Sequence, residues 1–450
     1  MTPSSISWPH PALDSATHLV PSVKAFFPTL LHRVDAASLT SLRTYQQYYQ
    51  DADPMHSAMA FCAIVSAYVW IMEKITGNAS QVDGLWTFLP LIYSAHFTFH
   101  KYFTYQPAKL TLLGGVEHPG FWDKVEPRLA LMSALSLLWC IRLTYNAIRR
   151  GMFKPGEEDY RWPILRAGMS RPVWEIFSFF FIAIAQNILL AITALPQYLL
   201  LTTTSIKHVT EPVPRPVNRL CLGDWVLAAL FVANLAIQYR ADEQQWNYQN
   251  YKRGLDPKGK PLAASATAVA KVQASKSVKP IQGTSSAAQV TASTDQAPVR
   301  KPTLRSEHTP FSLPEDADRG FVTRGLWAWS RHPNFACEQT TWWILYLFVP
   351  LTFLPTDLSL ASWQHFLTYG IASPLAMNLL FYPSARFSEA VSASKYPAYA
   401  DYQRRVGMFF PFETLVKSAY YNLFASREEK RRVEANVWGQ SAVNTSKKRQ

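Results

Sequence analysis

Long apolar runs alternate with polar, proline-marked stretches through most of this chain. Runs at about Ser57–Ile75, Leu85–Phe103, Leu129–Ile148, Pro172–Leu201, Leu222–Tyr239, Gln339–Pro355 and Trp363–Tyr382 approach or exceed the ~20 residues that a helix needs to cross a bilayer. They predict an all-α fold, a polytopic membrane helix bundle of about seven transmembrane helices. The run Pro172–Leu201 exceeds one span, and Pro196 within it predicts a bend. Trp and Tyr gather at the ends of the runs, as interfacial anchors do. Residues 1–55 are mixed and proline-punctuated, with a short interfacial helix expected at Val20–Leu31.

Charge orients this pattern. The net charge of +13 is concentrated in particular loops, which points to membrane topology and away from nucleic acid. Arg149, Arg150, Lys154, Arg161, Arg166 and Arg171 follow the third run. Arg240, Lys252, Arg253, Lys258 and Lys260 follow the fifth, and Arg404, Arg405, Arg431 and Arg432 follow the seventh. Alternate sides of a seven-span chain therefore agree, with these segments and the C-terminus cytosolic and the N-terminus lumenal. No cleavable signal peptide is expected, because the first residues lack a basic start followed by an apolar core.

Residues 255–309 are low-complexity, rich in Ala, Ser, Thr, Val and Gln, and predict a disordered cytosolic insertion. The resulting organisation is 1–55 as a lumenal or interfacial segment and 56–254 as the first five helices. The insertion follows, then 310–415 with the last two helices and a Tyr-rich cytosolic helix, then 416–450 as a basic tail. The final Lys447-Lys448-Arg449-Gln450 resembles a dilysine retrieval signal. Coat and retrieval machinery is thus an expected partner, and the endoplasmic reticulum membrane the expected location. Cys62, Cys140, Cys221 and Cys337 show no metal-ligand spacing and predict no disulfide framework.

Polar clusters interrupt the apolar pattern on the expected cytosolic side. The densest runs from Gly325 to Trp343 and contains Ser330-Arg331-His332-Pro333-Asn334 and Glu338. Pro333 suits the first turn of a helix. The free N–H groups there, with Arg331 and His332 just before, suit an anion. Asn334 and Glu338 lie four apart and share a helical face that Trp342 continues. A second cluster places Asp242, Gln245, Gln249 and Lys252 on one face as the fifth run ends. A third holds Arg142, Tyr145, Asn146 and Arg149, leading to Glu158-Asp159-Tyr160-Arg161-Trp162. A fourth is Gln81-Val82-Asp83 with Trp86. Ionisable groups at membrane depth are costly and mark functional sites. A fifth segment, from Arg386 and Glu389 through Tyr396, Tyr399 and Tyr402 to Phe410-Pro411, reads as an amphipathic helix packing its aromatics back onto the membrane. Together the clusters predict a polar pocket in the cytosolic leaflet, open sideways to lipid.

These motifs resemble a family of membrane proteins akin to the steroid 5-alpha-reductase C-terminal domain. The motifs are Gln-Val-Asp-x-x-Trp, Arg-Leu-Thr, Glu-Asp-Tyr-Arg-Trp, Ala-Asp-x-Gln, Gly-Leu-Trp-x-x-Ser-Arg-His-Pro-Asn-Phe-x-x-Glu and Tyr-x-x-Tyr before Phe-Pro. The resemblance spans roughly residues 80–412 apart from the insertion. The wider clan includes sterol reductases and isoprenylcysteine carboxyl methyltransferases. It implies NADPH held in a cytosol-facing cavity and reduction of an activated C=C bond in a lipid substrate. By that resemblance Asn334, Glu338, Asp242, Arg142 and Tyr402 match cofactor-contacting positions. Arg142, Arg331 and Lys252 would meet the phosphates, and Asp83, Tyr145 and His332 are the candidate acids. Trp139 stands where the steroid reductases have a ketone-binding tyrosine, and Phe88 where they have an acidic residue, which argues against a 3-oxosteroid substrate. The methyltransferase alternative would bind S-adenosylmethionine; its paired glutamates are matched here by Glu389 alone, after Arg386. A non-catalytic lipid-binding protein is the third reading.

Overall fold

The computed structural model describes residues 11–33, 41–104, 120–205, 214–253, 255, 258 and 319–438. Nearly all of the expected insertion and the C-terminal dilysine-like end lie outside the described residues. Among those described the fold is all-helical. The longer helices are α1 (Pro11–Arg33), α2 (Pro54–Thr76), α3 (Leu89–Thr104), α4 (Pro127–Arg149), α5 (Arg171–Ile192), α6 (Leu195–Ser205) and α7 (Leu222–Lys252). After them come α8 (Pro333–Phe353), α9 (Ala372–Lys395), α10 (Tyr399–Arg405), α11 (Pro411–Phe424) and α12 (Arg427–Trp438).

Helix boundaries follow local chemistry. Asp53 caps α2 by accepting from the Met55 N–H at 2.7 Å, and Pro54 occupies the first turn. Gly77, at φ 68°, ends α2 in the left-handed conformation that glycine adopts without a Cβ penalty. Pro127 opens α4 and Pro333 opens α8 in the same way.

Four helices are long and apolar enough to cross a membrane among the described residues: α2, α4, α5 and α7. The sixth expected run lies almost wholly in α8, which is not among these four, and other runs depart from the simple pattern. The second is a 16-residue helix, α3, preceded by the short helix Gln81–Leu85. The long fourth run divides at Thr193–Ala194, just before Pro196, into α5 and α6; proline removes a backbone donor and crowds the preceding turn. Within α5, residues Ser178–Ala185 widen into a π-helical segment, where the Ser178 hydroxyl donates to the buried Glu73 carboxylate. The seventh run is only half α-helical, because short 3₁₀ turns at Trp363–Phe366 and Tyr369–Ile371 precede the start of α9 at Ala372.

The chain divides into two compact units. The first contains residues 1–236 and 338–382, the second 237–337 and 383–450. The first unit's core joins Tyr93, Phe97, Leu129, Met132, Trp139, Ile182, Leu190, Tyr198, Phe231, Trp342 and Phe348. Its polar lock is fully buried. Arg128 holds Asp224 through Nε at 2.6 Å and Nη2 at 2.9 Å, and gives Nη1 to the Thr352 hydroxyl at 2.7 Å and the Arg215 carbonyl at 2.8 Å. The second unit's core packs Phe321 with Tyr399, Tyr402, Val406, Tyr421, Val433 and Val437. The segment read as a basic tail thus begins as α11 and α12, which bury Tyr421, Val433 and Val437.

Candidate functional site

In the first unit, α4 and α8 bring together Trp139, Arg142, Glu338 and Trp342. Both carboxylate oxygens of Glu338 are engaged. Oε1 accepts from the Trp139 indole at 2.9 Å, and Oε2 from Arg142 Nη2 at 3.1 Å. All four residues are buried, and the Trp139 and Trp342 rings meet edge to face with centroids 5.1 Å apart. Trp342 is 2% exposed, yet its indole N–H meets no protein acceptor. A buried unsatisfied donor costs about 1–3 kcal/mol. An anchored carboxylate beside an unused N–H can receive a polar group bearing an acceptor.

Two of the sequence clusters meet within the first unit. The segments 77–86 and 157–166 are stitched along their length. Asn78 Nδ2 donates to the Glu157 carbonyl at 2.8 Å, the Ala79 N–H to Glu158 at 2.8 Å, the Asp159 N–H to the Ser80 hydroxyl at 2.8 Å, and the Trp162 indole to Asp83 Oδ2 at 2.8 Å. Arg166 closes onto Glu158 at 2.6 Å. Burial lifts the Asp83 carboxyl above its ordinary pKa, against the opposing pull of the Trp162 N–H and the Arg161 charge. Tyr145 sits elsewhere: half exposed on α4, its ring lies 5.1 Å from the Arg149 guanidinium.

The second unit contains the Ser-Arg-His-Pro-Asn motif. Gly325, at φ 63°, precedes it and lies where a Cβ would come within 2.6 Å of the Gln244 side chain, which accepts the Leu326 N–H at 2.9 Å; only glycine fits there without strain. Arg331 grips Glu389 of α9 through Nε at 2.6 Å and Nη2 at 3.1 Å. Its Nη1 donates to the carbonyls of Gln403 and Val406. His332 Nε2 reaches the same carboxylate at 3.0 Å, and Gln403 Nε2 donates to it at 2.9 Å. Burial alone would raise the pKa of Glu389, but the hydrogen bonds from His332 and Arg331 and the Arg331 charge hold it down to about 2.

This changes the expected roles. Arg331 is an internal strut whose donors are turned to the protein, so phosphate binding by it would require breaking a buried bidentate pair. Lys252 Nζ is likewise engaged, with the Gly320 carbonyl at 3.1 Å and the Tyr396 hydroxyl at 2.7 Å. The fully buried Tyr402 donates to the Trp327 carbonyl at 2.5 Å and stacks on Phe321. Tyr399 and Tyr402 therefore pack inside the second unit rather than against a membrane. Asn334 turns Nδ2 toward Asp242 Oδ1 at 3.5 Å, and its backbone carbonyl accepts from Gln238 Nε2 at 3.2 Å. Further along α7, Gln245 Oε1 and Asn250 Nδ2 are buried with no protein partner.

Sequence reading passes over Arg128–Asp224 and the partnership of Glu389 with Arg331. Each acidic partner lies far along the chain from its arginine; the available signal is a charged residue in the first turn of an apolar helix, which holds for both Arg128 and Asp224. The four cysteines are unpaired.

The family described as Protein of unknown function (DUF1295) matches residues 69–406. An uncharacterized protein of Schizosaccharomyces pombe is 29% identical over 374 residues, covering 83% of this chain and 84% of that one. No solved structure matches. The matched region takes in the Glu338 cluster, the Asp83–Trp162 seam and the Arg331–Glu389 strut, and the chain belongs to this family.

Proposed function

We propose that the protein is a seven-span membrane reductase of the endoplasmic reticulum, with a cytosolic C-terminus, that uses NADPH to reduce an activated C=C bond in a lipid. The observation that carries this reading is the Glu338 carboxylate, held by Arg142 and Trp139 in an apolar interior beside the unused Trp342 N–H. Placing an ion pair and an idle donor among membrane-type helices is costly unless a ligand uses them. The donor set fits a carboxamide such as that of nicotinamide, whose oxygen would accept from Trp342. When bound, NADPH supplies the hydride. Glu338 and Arg142 would orient the ring, with Trp139 keeping the carboxylate from turning away. Asn334 and Asp242 remain cofactor candidates through the resemblance.

Of the three candidate acids, Asp83 is the one we favour as proton donor. Its burial favours the neutral, donating form, and Trp162 fixes its orientation. His332 is committed to Glu389, and Tyr145 lies on an exposed face. Because Glu389 is occupied by Arg331 and His332, the methyltransferase-like glutamate acts as structure, which supports the reductase reading over the methyltransferase one. Trp139 spends its N–H on Glu338, so it cannot act as a ketone-binding phenol would.

Glu338→Gln is expected to weaken NADPH binding by roughly tenfold or more, the loss of about 1.5–3 kcal/mol for a hydrogen bond to a charged group, and Trp342→Phe by less. Both proteins should elute from size exclusion in detergent as the wild type does. Unchanged NADPH affinity in both variants would remove the basis of the assignment.

A further inference from the structure

We infer that α11 lies in the plane of a phospholipid bilayer, its apolar side buried at the boundary between headgroups and acyl chains. This helix is inverted relative to a helix on a water-soluble surface. Its polar side faces the protein. Glu413 accepts the backbone N–H groups of Met408 and Phe410 at 2.8 and 3.0 Å. Thr414 bridges the Gly407 N–H at 2.7 Å and the Trp329 carbonyl at 2.6 Å, and Lys417 Nζ donates to the Gln403 carbonyl at 2.8 Å. Its outward side is a stripe of Phe412, Leu415, Val416, Tyr420, Leu423 and Phe424, each 57–76% exposed. The positions recur at three- and four-residue spacing, so they form one continuous face of the helix.

The occupant of that face follows from where the second unit sits along the chain. The unit begins inside α7, one of the helices long and apolar enough to cross a membrane. From Ile237 to the end of α7 at Lys252 the helix rises only roughly 24 Å, so the unit is held at a bilayer by its own backbone. A stripe mixing Phe, Tyr and Leu, beside the half-exposed Trp329, has the composition of a membrane-interface anchor. The inference is independent of the proposed chemistry.

The test uses the full chain with Cys221→Ser, reconstituted in phosphatidylcholine–phosphatidylserine vesicles and labelled with an environment-sensitive fluorophore at Val416→Cys, Leu423→Cys or, for comparison, Glu428→Cys on α12. Emission from 416 and 423 should be blue-shifted and quenched several-fold more by shallow nitroxide phospholipids than emission from 428. If either labelled variant aggregates in detergent, Ala419→Cys on the same stripe replaces it. Equal quenching at the stripe and at 428 would overturn the inference. So would blue-shifted emission without nitroxide quenching, which would mean that protein, such as a second copy of the chain, covers the stripe.

Discussion

Glu389→Ala is expected to unfold the second unit rather than merely weaken a ligand. The substitution leaves the Arg331 guanidinium buried without its countercharge and strips partners from His332 and Gln403. Removing one member of a buried ion pair costs about 3–5 kcal/mol, a large share of a typical domain's stability. Glu389→Gln retains the volume and one acceptor and should lose less. The same carboxylate makes the unit acid-sensitive. Its folded pKa, at about 2, lies below the ordinary 4.5, so its contribution is complete above the ordinary value and fades as pH falls from there toward 2. Proteolysis within residues 383–438, followed against pH, reads both effects. A Glu389→Ala protein as protease-resistant as wild type, with no added acid sensitivity in the wild type between those values, would contradict the role assigned to this pair.

A comparable loss is expected in the first unit from Asp224→Ala. Arg128 and Asp224 are each fully buried and joined by two hydrogen bonds, so the lone arginine would again be left uncompensated, at about 3–5 kcal/mol. The lock ties the first turn of α4 to that of α7, and through Thr352 to the end of α8. Replacing both partners with apolar residues, Arg128→Met with Asp224→Leu, should recover much of the stability, because no charge remains buried. Thermal midpoints in detergent would order the proteins wild type, double variant, single variant. A single variant as stable as wild type would show that the pair carries no structural weight.

The fold is legible in the sequence wherever a local rule decides it. Apolar runs locate α2, α4, α5 and α7, and Pro54, Pro127 and Pro333 mark helix starts. Pro196 announces the division between α5 and α6. The seventh run is less legible, because composition alone does not separate 3₁₀ turns from a continuous helix. Parts of the site depend on partners remote in sequence. That Glu338 would be gripped by Arg142 follows from no spacing rule, since the pair is 196 residues apart. For the same reason the positive charge of Arg331 suggests a phosphate ligand until its partner Glu389, 58 residues away, is seen. The aromatic segment at Tyr399 and Tyr402 suggests a membrane-facing side, yet Phe321 covers it, and the outward apolar stripe belongs to the following helix.

The most direct test of the proposed function is titration of the purified wild-type protein, in detergent or nanodiscs, with NADPH and separately with S-adenosylmethionine. Saturable NADPH binding that quenches tryptophan fluorescence is expected, because the Trp342 N–H and the Glu338 carboxylate would receive the nicotinamide under the proposed function, with no measurable S-adenosylmethionine binding. Saturable S-adenosylmethionine binding, or binding of neither nucleotide by a folded protein, would contradict it.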